Sequence, residues 1–202
     1  MHPLLLMPAL LLAPQPAQAT RTLAFLGDSL AAGYGVESQE AFPSLIEARL
    51  KSRGLPWKVI NAGVSGDTSA GGLRRLDWIF KQRVDVLFIC LGANDGLRGL
   101  PLASTEANLR AIIDRAQSKG ATVVIAGMQL PENYGPDYRK GFQAMYARLA
   151  REKHLVSLPF LLQDVAMHPE LNQNDRIHPN AAGHRRVADN VWRVLEPVLL
   201  GK

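Results

Sequence analysis

The chain is built on a rhythm that leaves few folds open. Short apolar runs alternate with longer stretches in which apolar residues recur at helical spacing. Candidate strands cover residues 22–26, 58–61, 85–91, 122–126 and, more weakly, 155–158. Val86-Leu87-Phe88-Ile89-Cys90-Leu91 and Val123-Val124-Ile125-Ala126 are apolar at every position rather than at alternate ones. Strands of that kind need cover on both faces, as in a parallel sheet sandwiched between helices. Helical stretches fall at 42–53, 73–82, 104–119, 138–153 and 180–195, with Gly54 and Gly120 placed to close two of them. The resulting strand–helix–strand order predicts an α/β fold: a three-layer α/β/α sandwich around a five-stranded, mostly parallel, doubly wound sheet. No internal repeat or linker divides the 202 residues, so residues 20–202 are expected to share one core.

Residues 1–19 stand apart. Leu4–Leu12 is apolar but too short to cross a bilayer, and Ala17-Gln18-Ala19 has the small-x-small pattern of a signal-peptidase site. A cleaved secretory leader is expected, with a periplasmic or secreted product beginning at Thr20. The leader departs from the usual pattern in having no Lys or Arg before its apolar stretch. Cys90 is the only cysteine, so no internal disulfide and no thiolate metal cluster can form. Inside an apolar strand it is expected to fill space. The formal charge of +5 raises the question of anionic partners. The basic residues are scattered, however, and Arg74-Arg75 and Arg185-Arg186 fall in amphipathic segments that read as solvated helix faces. No nucleic-acid partner is expected, and at most transient contact with membrane lipid.

In doubly wound sheets, ligands bind beyond the carboxyl ends of the strands. Three polar segments follow directly on predicted strands. Gly27-Asp28-Ser29-Leu30 can turn off the first strand and present a hydroxyl, although a serine there is equally suited to capping a helix. In Gly63-Val64-Ser65-Gly66 the glycines let backbone amides approach a ligand closely, or simply turn the chain. Asn94, after Gly92-Ala93, can donate its side-chain amide to an oxyanion, or form a turn with its own backbone. A fourth segment, Asp175-Arg176-Ile177-His178-Pro179, spaces a carboxylate three residues from an imidazole, close enough to orient it. His154, His168 and His184 have no acid so placed. Hydroxyl, base and orienting carboxylate are what acyl transfer needs. The nucleophile-elbow pattern Gly-x-Ser-x-Gly is absent, and Gly33-Tyr34-Gly35 lacks the third glycine of a dinucleotide loop.

Taken in order, Leu26-Gly27-Asp28-Ser29-Leu30, Ser65-Gly66-Asp67-Thr68, Gly92-Ala93-Asn94-Asp95-Gly96, Leu130-Pro131-Glu132-Asn133-Tyr134 and Asp175–Asn180 resemble the conserved blocks of the SGNH (GDSL) hydrolase family. The resemblance runs through nearly all of the chain after the leader. It implies a flavodoxin-like sandwich and a serine esterase acting on carboxylic esters and thioesters, among them aryl esters, acyl-CoA and lysophospholipid, without metal or cofactor. It further implies a triad of Ser29, His178 and Asp175, and an oxyanion hole made by the backbone N–H groups of Ser29 and Gly66 and the Asn94 side chain. The segments 96–101 and 129–134 would line an acyl site, with Leu97, Leu100, Leu130 and Tyr134 in contact with substrate. Leu102 and Met128 are further candidates. Asp28 and Asp95 are expected to support loops. Two alternative functions fit the same segments: a carbohydrate-deacetylating esterase of the same family, disfavoured by an aromatic content of 6%, and a non-catalytic lipid- or glycan-binding module. A monomer is expected.

Overall fold

Five parallel strands form the centre of the protein: β1 (Arg21–Gly27), β2 (Trp57–Gly63), β3 (Val86–Cys90), β4 (Thr122–Ala126) and β5 (Val156–Leu158). They pair in the order β2-β1-β3-β4-β5, every pairing parallel. The structure is a computed structural model describing residues 19–201. The expected leader, residues 1–19, therefore lies outside the described residues except for Ala19. Around the sheet lie α1 (Ser29–Ala32), α2 (Phe42–Ser52), α3 (Ser69–Ile79), α4 (Ala93–Leu97), α5 (Leu102–Ser118), α6 (Pro136–Glu152) and α7 (Ala181–Leu200). Helices α2 and α7 pack together against one face, while α3, α5 and α6 cover the other.

This arrangement explains the uniformly apolar runs. All five residues of β3 are fully buried, because neighbours flank the strand on both edges and helices cover both faces. Phe25 on β1 meets Phe42 edge-on at 5.4 Å and its register partner Phe88 at 5.3 Å, so an aromatic cluster runs from α2 over β1 to β3 on one face of the sheet. Truncating such a ring to alanine typically costs about 3–5 kcal/mol.

Several boundaries differ from those read in the sequence. Helix α3 begins at Ser69 rather than near residue 73, capped by Thr68, whose Oγ1 accepts from the N–H of Gly71. A Cβ at Gly72 would lie 2.2 Å from Leu91 Cδ1, so the glycine marks close packing of the helix on the end of β3. Helix α5 starts after Pro101, two residues earlier than expected, and Thr105 is buried within its first turn. Helix α7 continues through Pro197 to Leu200. Strand β5 is three residues long and exposed at two of them, as befits an edge strand with a weak signal.

Register sets the site. Gly27 pairs with Gly63 on one side and Cys90 on the other, so β1, β2 and β3 end at one level. The segments beyond them, 28–29, 64–68 and 91–94, share the carboxyl edge. The strand order reverses between β1 and β3, the point at which doubly wound sheets open a crevice.

Candidate active site

Asp28 makes the turn off β1. Its Oδ1 accepts from the N–H of Leu30 at 3.0 Å and caps α1, which puts Ser29 in the first helical position. Helix α1 sits directly on the end of β2: a Cβ on Gly63 would come within 2.3 Å of the Ala32 backbone nitrogen. Asp28 itself is fully buried, and burial pushes its carboxyl up to about 6, against the opposing pull of the Leu30 N–H and of nearby His178.

His178 arrives from the far end of the chain. Its Nε2 lies 2.9 Å from Ser29 Oγ, and its Nδ1 lies 2.7 Å from Asp175 Oδ2. Because a carboxylate only accepts, Nδ1 carries the proton and Nε2 presents its lone pair to the hydroxyl. Asp175 Oδ1 accepts from the backbone N–H groups of Ile177 and His178 at 2.9 and 3.0 Å. Desolvation opposes ionisation of this carboxyl, but those two amides and the His178 ring outweigh it and hold it at about 2. Arg176, at φ 61°, turns the short loop between the two residues. The loop is pinned from outside as well. Gln173 donates its backbone N–H to the His178 carbonyl at 2.8 Å, and its Nε2 donates to the Tyr34 carbonyl at 2.7 Å. The Tyr34 ring rests on the imidazole with centroids 4.7 Å apart.

Gly66 and Asn94 follow β2 and β3, the two strands that flank β1. Asn94 Nδ2 donates to the Asp67 carbonyl at 3.0 Å and reaches Asp28 Oδ2 at 3.4 Å. Gly66, at φ 77°, occupies a left-handed position in a turn closed by the Asp67 N–H on the Val64 carbonyl. Among the described residues, neither the Ser29 nor the Gly66 backbone N–H has an acceptor within the protein. Asp95, 2% exposed, accepts from Ser69 N–H and Oγ at 2.8 and 2.5 Å and from Thr105 Oγ1 at 3.3 Å. It thereby ties the turn that carries Asn94 to α3 and α5.

A cleft of about 520 Å³ opens beside Ser29 and His178. Leu97, Met128 and Leu130 line it. Leu100, Leu102 and Tyr134 are not on its wall. The Leu100 carbonyl accepts from Tyr138 Oη at 2.7 Å, Leu102 packs toward Gly141, and Tyr134 Oη donates to the Leu97 carbonyl at 2.8 Å, so Tyr134 shapes the wall from behind. Phe160, Leu162, Ala166 and Met167 also line the cleft, and the sequence reading did not single them out. Their signal was the apolar run Leu158-Pro159-Phe160-Leu161-Leu162 continuing past β5, in a stretch without helical or strand periodicity. Cys90, fully buried with its thiol 3.7 Å from the Leu26 carbonyl and its ionisation pushed up by burial, fills the core.

A hydroxyl, an imidazole and a carboxylate chained at the switch point of a doubly wound sheet, beside an apolar cleft, define an ester- and thioester-hydrolase class of enzyme. Comparison with known proteins agrees. The GDSL-like lipase/acylhydrolase family matches residues 25–186. Esterase TesA of Pseudomonas aeruginosa is 40% identical over 192 residues, 95% of each chain. The thioesterase 1/protease 1/lysophospholipase L1 of Escherichia coli is 39% identical over 91% of this chain and 87% of its own. A crystal structure of TesA superposes with a TM-score of 0.85 at 38% identity, over 88% of this chain and 99% of that one. The chain belongs to the GDSL-like lipase/acylhydrolase family, and it is an ester/thioester hydrolase.

Proposed function

We propose that Ser29 is the nucleophile, His178 its general base and Asp175 the carboxylate that orients the base. The observation that carries this reading is the unbroken chain Ser29 Oγ–His178 Nε2 at 2.9 Å and His178 Nδ1–Asp175 Oδ2 at 2.7 Å. His178 takes the Ser29 proton as Oγ bonds to the acyl carbon, and Asp175, held ionised, stabilises the imidazolium. The negative charge moves to the carbonyl oxygen. The free N–H groups of Ser29 and Gly66 are available to that oxygen. So is the Asn94 amide, whose 3.4 Å contact with Asp28 is long for a hydrogen bond and easily exchanged. His178 then passes the proton to the departing alkoxide or thiolate, and water, activated by the same base, releases the acid from the acyl-enzyme.

The substrates proposed are esters and thioesters with an apolar acyl chain, aryl and lysophospholipid esters and acyl-CoA among them. The cleft supports this: Leu97, Met128, Leu130, Phe160, Leu162 and Ala166 line a space of about 520 Å³, sized for a chain rather than an acetyl group alone. The Leu4–Leu12 run and Ala17-Gln18-Ala19 support export to the periplasm or medium, with the protein acting there as a monomer. Among the described residues no helix is long and apolar enough to cross a membrane. Replacing Ser29 by alanine is expected to lower kcat on p-nitrophenyl esters by at least about four orders of magnitude, with an unchanged melting temperature. Substantial turnover by that variant would refute the assignment.

A further inference from the structure

Arg75 read from sequence as half of a basic pair on a solvated helix face. Its side chain is 20% exposed, and its guanidinium is spent on three partners in three directions. Nε donates to Asp67 Oδ2 at 2.6 Å, Nη1 to the Ala62 carbonyl at 2.6 Å and Nη2 to the Gly27 carbonyl at 2.8 Å. Gly27 ends β1 and Ala62 is the penultimate residue of β2. Beyond Gly27 come Asp28 and Ser29. Beyond Ala62 comes the turn that carries Gly66, and that turn finishes at Asp67. The Asp67 carbonyl in turn receives the Asn94 amide at 3.0 Å.

One planar fork therefore touches the backbone leading to two of the three groups proposed to hold the oxyanion and reaches the third through Asp67. It fixes the peptide ahead of the Ser29 N–H and both ends of the turn that aims the Gly66 N–H. Through Asp67 it also fixes the acceptor that holds the Asn94 side chain. We propose that Arg75 is a positioning residue that sets the spacing of the three oxyanion donors. This rests on the reading of Ser29, Gly66 and Asn94 given above. Lysine cannot take the place of arginine here, because an ammonium on a flexible stem cannot hold two strand ends and a carboxylate at fixed mutual angles. The role differs from that of a stability-only ion pair in where its loss is felt. Donors displaced by a few tenths of an ångström weaken the transition state more than the bound substrate.

The test is a double-mutant cycle between Arg75→Ala and Asn94→Ala, with kcat and KM measured on a p-nitrophenyl ester and a melting curve recorded for each protein. Arg75→Ala is expected to lower kcat by about ten- to a hundredfold, a fraction of the effect of deleting a donor outright, with KM changed less than about twofold. In the Asn94→Ala background the same substitution is expected to cost a clearly smaller factor, since one donor that Arg75 positions is already gone. Arg75→Lys is expected to behave like Arg75→Ala. An equal factor in both backgrounds, an effect confined to KM, or full recovery in Arg75→Lys would overturn the proposal. If Arg75→Ala melts below the assay temperature, Asp67→Asn keeps the backbone and the side-chain shape while removing the charge. It is expected to lower kcat severalfold, and a wild-type kcat there would equally overturn the proposal. Ser29→Ala, assayed alongside, separates the two claims: an inactive Ser29→Ala beside a fully active Arg75→Ala removes only the clamp, whereas an active Ser29→Ala removes the underlying mechanism.

Discussion

Acidification should destabilise this protein through a histidine that takes no part in the proposed chemistry. His184 lies on α7, 1% exposed, where its Nδ1 accepts the N–H of Phe42, the first residue of α2, at 3.2 Å. A backbone N–H can only donate, so Nδ1 must be unprotonated in the folded state. Burial lowers the ring from 6.5 to about 4, opposed by Glu40 and reinforced by His178. The unfolded chain thus binds this proton at higher pH than the folded one. The stability contributed by the neutral ring is complete above about pH 6.5 and is lost as the pH falls toward 4. A depression of this size corresponds to about 3 kcal/mol. Asp28 works the other way, because its raised carboxyl gains a proton in the folded state over much of the same window. The wild-type pH profile therefore mixes two opposing contributions, and only a difference isolates one. His184→Asn keeps an acceptor for the Phe42 N–H and removes the titration. Urea unfolding at about pH 8 and about pH 4.5 gives each protein's change in stability. The variant's loss on acidification should be smaller than the wild type's by about 2–3 kcal/mol. Equal losses in the two proteins would refute the reasoning, whatever the absolute cost of the substitution.

Two further outcomes follow from the same geometry. Asp28→Asn, which retains the bond to the Leu30 N–H, removes a fully buried charge. Its stability should rise by about 2–3 kcal/mol at about pH 8, by the linkage between a raised carboxyl and a cost present above its folded pKa, while kcat falls as Asn94 loses a partner; a urea titration and initial rates check both. Ala166→Phe, in the lining of the cleft, should shift the kcat/KM optimum across a p-nitrophenyl ester series to shorter acyl chains by several carbons; an unchanged optimum would remove Ala166 from the acyl site.

The layers of this fold were legible because burial on both faces writes itself into sequence. Val86–Cys90 and Val123–Ala126 could only be central strands, and the residues that follow them had to share one edge. The segments bearing Ser29, Asn94 and His178 were visible for the same reason, since polar and glycine residues interrupt apolar runs there. What escaped was set by packing between distant segments. The first turn of α3 is not legible in the sequence because Gly71 and Gly72 are poor helix formers, and Gly72 is there because Leu91 occupies the space a Cβ would need. The wall from Phe160 to Met167 has no periodicity because it is irregular backbone, and its apolar residues divide between the cleft, lined by Phe160, Leu162, Ala166 and Met167, and the core, which takes Leu161 and Val165. Arg75 lies on an amphipathic helix, where charge usually means solvent. Only the carbonyls at the ends of two strands reveal that this residue points inward.

Covalent trapping tests the central claim most directly. An active-site fluorophosphonate incubated with the protein, followed by peptide mass mapping, should place a single adduct on Ser29. Replacing His178 by alanine should slow its formation by orders of magnitude. An adduct on another residue, or a protein that hydrolyses esters while leaving Ser29 unmodified, would contradict the mechanism.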